Sequence, residues 1–208
     1  ICGEETALLE SIEPSTDKLR FTRPQRFHRE TSLLLSLFYA LKGEVELAKQ
    51  HAQKGAEIAA KLHSGFVSTV SKVRLGHALQ LDQNAGFDPT YFERNRNLYQ
   101  EAIENVDIVR IHVEPLWGLC RLLGYHGDLH GAEEVAQNAL AIAQSAGDPW
   151  IGLLVRISLG ASQALAGETS RASEGLAIAE SLAIELEDNL SRTAVLLWEA
   201  YVAHLQGY

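Results

Sequence analysis

Apolar residues recur along this chain three and four apart, and no stretch sustains an alternation of apolar and polar positions. From Ala132 to Ala146, the positions Val135, Ala136, Ala139, Leu140, Ile142 and Ala143 form one broad apolar face. From Ala172 to Leu186, Leu176, Ala179, Leu182, Ala183 and Leu186 form another. Turn signals come every 18 to 22 residues, which leaves no room for strands. The pattern predicts an all-α chain of antiparallel helix pairs. First helices (A) are expected at 24–42, 65–84, 113–126, 149–166 and 189–206. Second helices (B) are expected at 44–62, 89–107, 128–146 and 168–187. Residues 4–13 read as a shortened B helix stopped by Pro14, and 14–23 as a loop.

The pairs repeat. A glycine–acid step stands at Gly3-Glu4, Gly43-Glu44, Gly127-Asp128 and Gly167-Glu168, and Gly207 falls 40 residues after Gly167. Gly86-Phe87-Asp88 sits where the intervening unit should turn. Ala48, Ala132 and Ala172 each follow the turn glycine by five residues, and Ala139 and Ala179 follow it by twelve. Small side chains there let a second helix approach the first. The units run 24–64, 65–108, 109–148 and 149–188, flanked by a partial repeat and loop at 1–23 and a truncated repeat at 189–208. One continuous domain over 1–208 is the expected organisation.

Asp88-Pro89 and Asp148-Pro149 each place a capping carboxylate before a proline whose missing N–H costs nothing in a first turn. Ser64 and Asp188-Asn189 offer caps at corresponding starts. Pro115 falls inside 111–125, so that helix should begin near Val113 or kink.

These residues resemble the tetratricopeptide repeat. Leu159-Gly160, Gly167-Glu168, Ala172 and Ala179 match its pattern in one unit. Tyr39, Gly43 and Ala48 match in another, and Leu119, Gly127-Asp128, Ala132 and Ala139 in a third. The second unit departs, with Phe92 and Tyr99 at the two alanine positions, and the period is 40 rather than the family's 34. This long form is similar to the repeat region of bacterial signal-transduction ATPases and maltose-activator-type transcription regulators. The resemblance implies a right-handed α-α superhelix that serves as a sensor or partner-binding arm, with its first helices lining a concave groove.

Composition narrows the function. With 46% hydrophobic and 22% charged residues the chain has the make-up of a folded protein, and a net charge of −9 disfavours a nucleic-acid surface. No apolar run approaches a membrane span; Leu33–Leu41 is interrupted by Ser36. Cys2 and Cys120 show no metal or redox spacing, which fits a cytoplasmic setting. The chain starts at Ile1 and contains no methionine, which reads as a piece of a longer protein.

Arg110, Glu114, Trp117 and Arg121 share a narrow sector of the third A helix. An indole flanked by both charge signs suits a peptide, a protein segment or a small effector. The competing reading is a solvated face with Trp117 wedged against the next repeat. By alignment to the turn glycine the resemblance adds Arg74 and His77, a greasy patch of Leu154, Ile157 and Ala161, and Tyr201 with His204. A second function class is self-association, through Leu197 and Tyr201 of the last helix. Catalysis and metal binding are the least favoured. Cys120 holds a small-residue position expected to be buried, and His126 and His130 straddle a turn that spoils their helical spacing. No cofactor is expected.

Overall fold

The computed structural model describes residues 28–82, 89–105 and 108–208. The expected short helix at 4–13, the loop at 14–23, the turns at Gly3-Glu4 and Gly86-Phe87-Asp88, and Cys2 lie outside the described residues. The chain divides into two compact units, Ile1–Asn105 and Val106–Tyr208.

Among the described residues the first unit holds α1 (His28–Leu41), α2 (Val45–Leu62), α3 (Gly65–Gln80) and α4 (Pro89–Glu104). The second unit opens with a 3-10 turn, Val109–His112, that leads into α5 (Val113–Tyr125). It continues through α6 (Leu129–Ala146), α7 (Pro149–Leu165), α8 (Thr169–Glu185) and α9 (Asn189–Leu205). No strand occurs among the described residues. Helix α5 begins at Val113, so Pro115 falls in its first turn, where no intrahelical N–H is needed.

The turns share one mechanism. Gly43, His63, Gly127, Gly147, Gly167, Glu187 and Gly207 all have φ between 49° and 87°, and from Gly127 onward they fall 20 residues apart. Each ends a helix with the paired backbone bonds of a Schellman cap. Asp148 N donates to Ala143 O at 3.0 Å and Gly147 N to Gln144 O at 3.2 Å, for example. At four of the turns the next residue, Ser64, Asp128, Asp148 or Asp188, also caps the following helix with its side chain. Gly131 N donates to Asp128 Oδ1 at 2.9 Å, Ile151 N to Asp148 Oδ1 at 3.1 Å, and Ser191 N to Asp188 Oδ1 at 3.0 Å. One left-handed residue and one cap thus reverse the chain. The glycine–acid steps legible in the sequence are half of this ladder; His63-Ser64, Gly147-Asp148 and Glu187-Asp188 are the rest.

Within the second unit α6 packs on α5 and α7, and α8 on α7 and α9, while the A helices also meet directly, α5 on α7 and α7 on α9. In the first unit α2 packs on α1 and α3, α1 on α3, and α3 on α4. The repeat alanines make the close approaches possible: Ala48, Ala132, Ala139, Ala172 and Ala179 are all fully buried. Around Ala172 and Ala179 close Leu153, Ile157, Leu176, Val195 and Val202. Leu35, Tyr39 and Ala78 close around Ala48 in the first unit.

The irregular second repeat is solved by exchange of sizes. Tyr99, at an alanine position, is fully buried, and a Cβ on Gly76 would lie 2.7 Å from its ring. The missing side chain of Gly76 makes the space that Tyr99 fills.

Candidate functional site

The A-helix residues singled out by the sequence fall in both units. In the second unit Trp117 is 8% exposed, and its indole N–H donates to Ser158 Oγ of α7 at 2.9 Å. The ring is therefore a packing element between successive A helices. Above it lies Arg121, half-buried, with its guanidinium carbon 5.3 Å from the ring centroid. Ser158 also donates to Leu154 O at 2.9 Å, which fixes the hydroxyl that holds the indole. The indole and its serine together preset the position of a cation. Glu114 is half-buried on the same helix. Arg110 lies in the 3-10 turn, and its side chain is outside the described residues.

In the first unit His77 is buried on α3, with Nδ1 3.1 Å from the Tyr99 hydroxyl and the two rings tilted at 5.6 Å. It serves the Gly76–Tyr99 packing. Arg74 is half-buried; burial pulls its guanidinium down to about 10, and neighbouring Tyr99 partly opposes that fall. Of the greasy patch on α7, Ile157 and Ala161 are buried and Leu154 is half-buried.

Helix α9 is different. Leu197 is 69% exposed, whereas the residues 40 and 80 positions earlier, Ile157 and Trp117, are each 8% exposed beneath the next A helix. Tyr201, His204, Leu196 and Leu205 are exposed beside it.

Burial pushes the Cys120 thiol up to about 12, with Arg121 opposing, so it stays protonated at neutral pH. His126 and His130 are exposed on either side of Gly127, and His130 faces Glu134 at 3.6 Å. Among the described residues no three His, Cys, Asp or Glu side chains converge to hold a metal. None of the described helices is long and apolar enough to cross a membrane.

Two contacts escaped sequence reasoning. Ser158 carries no signal for its role, because its partner lies on another helix. Trp150 donates to Asp188 Oδ2 at 3.0 Å, which ties the start of α7 to the cap of α9. Burial pushes the Asp188 carboxyl up. The Ser191 hydroxyl and amide, the Trp150 indole and the Leu190 amide outweigh it and hold the carboxyl below its usual range.

The sequence matches no family model and no curated protein.

Proposed function

We propose that this chain is a partner-binding module, a tetratricopeptide-like array that takes a peptide, a protein segment or a small effector on its A-helix layer. The observation that supports this most is Arg121. It is a cation held in place by a buried indole, and no carboxylate among the described residues pairs with it. Such a cation loses little freedom when an acidic group binds, so more of the pairing energy reaches the complex. By its resemblance, the module serves as the regulatory or sensor arm of a larger bacterial signalling ATPase or transcription regulator in the cytoplasm, without catalysis of its own.

The test is a selection from a displayed random-peptide library on the chain, followed by a counter-screen on Arg121→Glu. Acidic peptides should be enriched and should lose about tenfold or more in affinity on the variant. Equal binding to both proteins would remove Arg121 from the site. Trp117 is left intact in this test, because its loss would disturb the α5–α7 contact whatever the function.

A second reading rests on α9: Leu197 and Tyr201 form a self-association surface. Light scattering of the chain against a Leu197→Glu, Tyr201→Glu variant checks it. A dimer that falls to a monomer supports the reading, and an unchanged mass refutes it.

A further inference from the structure

Helix α7 floors a cleft whose lining includes none of Trp117, Arg121 and Ser158. It has a volume of about 640 Å³ and lies between the B helices α6 and α8, with Leu140, Ala141 and Gln144 on one wall and Leu182 on the other. Gly152 and Arg156 of α7, one helical turn apart, line its floor. The carboxylate at its end, Asp148, is already engaged as the cap of α7.

Both floor residues depart from the repeat in ways that the fold does not require. The residues 40 before and after Arg156 are leucines, Leu116 and Leu196. In place of that leucine stands a guanidinium whose Nε is buried without a hydrogen-bond partner. No carboxylate among the described residues pairs with it. A buried N–H left without a partner is costly to the fold. Gly152 stands where neighbouring repeats carry His112 and Arg192. A Cβ there would meet only Ala143 Cβ at 3.8 Å, an ordinary contact, so packing does not demand a glycine. Glycine inside a helix is itself unfavourable. Two residues that each weaken the fold open and charge the same cleft, the usual mark of a site kept for binding.

We infer that this cleft is a second binding site, which takes an acidic amphipathic peptide segment. An Asp or Glu carboxylate of that segment pairs with Arg156, and an aliphatic side chain packs between Leu140 and Leu182. The occupant is a segment rather than a free acid, because a small carboxylate on Arg156 would leave most of the apolar wall uncovered. The site is distinct from the Arg121 surface and does not depend on it.

The probe is a short fluorescein-labelled peptide with Leu and Glu at helical spacing, titrated by polarisation against the whole chain up to about 1 mM. A second peptide carries Gln in place of Glu. The Glu peptide should bind and the Gln peptide should bind about tenfold more weakly or not at all. Arg156→Leu should abolish binding while its melting temperature holds or rises, and Arg156→Gln should also abolish it. All of these titrations are made in an Arg121→Glu background, where the A-helix surface no longer competes for the acidic probe, so the dependence on Arg156 reports the cleft alone. Four outcomes would overturn the inference: no binding with Arg156 intact, undiminished binding by Arg156→Leu, binding of free octanoate but not the peptide, or a variant that melts several degrees lower because Arg156 supports the fold.

Discussion

Gly124→Ala should break the contact between successive A helices. A Cβ at Gly124 would lie 1.8 Å from Ser162 Oγ and 2.4 Å from Ser162 Cβ. Carbon atoms in contact sit about 3.5–4.0 Å apart, so the Cβ pair falls short by more than about 1 Å. Turning the serine rotamer moves its Oγ but leaves its Cβ in place, and it breaks the bond from Ser162 Oγ to Ser158 O at 2.8 Å. Ser158 in turn holds Trp117, so separating α5 from α7 strains that bond as well. Overpacking of this kind costs about 3 kcal/mol. The helical preference of alanine over glycine returns at most about 1 kcal/mol. The net loss of about 2 kcal/mol should lower the melting temperature by about 4–8 °C, followed by circular dichroism. Ser162→Gly in the same chain should recover much of it, so the two changes couple in a double-mutant cycle by about 1–3 kcal/mol. A Gly124→Ala protein that melts at or above the parent, or two strictly additive losses, would refute this packing.

Glu187 holds a left-handed φ of 55° at a position where five of the seven turns carry glycine. Glu187→Gly should therefore raise stability by about 0.5–1 kcal/mol in urea denaturation, and Gly147→Ala should lower it by about 1–2 kcal/mol. Asp188 gives a pH dependence. Its folded pKa lies below the unfolded value, so its contribution is full above about pH 4 and is lost as the pH falls through the folded pKa. Trp150→Phe removes one of the donors and should shrink the stability lost below pH 4; an unchanged profile in acid titration would sink that account. Ala132→Leu and Ala172→Leu, each at a fully buried helix contact, should cost about 1–3 kcal/mol by overpacking. Parent-like melting of both would show that the register is wrong.

The helix pairs were legible because a turn that needs positive φ selects glycine, and glycine stands out in a sequence. Where the same cap is made by His63 or Glu187 the glycine signal disappears, and only the cap that follows it, Ser64 or Asp188, marks the turn in the sequence. The alanines at fixed distances from the turn located the close helix contacts for a similar reason: few residues are small enough. The candidate site was less legible. Spacing placed Trp117 and Arg121 on one sector of α5, and they do lie together, but a sector of one helix does not reveal what covers it. The neighbouring α7 buries the indole and leaves the guanidinium accessible. His77 shows the same limit, since its burial follows from Tyr99 filling the space above Gly76, a pairing between helices that no local pattern encodes. Arg156 could have been found by comparing residues 40 apart, because it interrupts a column of leucines.

The three tryptophans supply the most direct test of the proposed A-helix binding site. Each indole N–H gives its own signal in a ¹H–¹⁵N spectrum. Trp117 lies beneath Arg121 and is bonded to Ser158, Trp150 is bonded to Asp188, and Trp198 lies on α9 against Tyr201. On titration with a peptide whose binding is lost in Arg121→Glu, the Trp117 indole should move while those of Trp150 and Trp198 stay in place. A still Trp117 signal at saturating peptide would contradict the account.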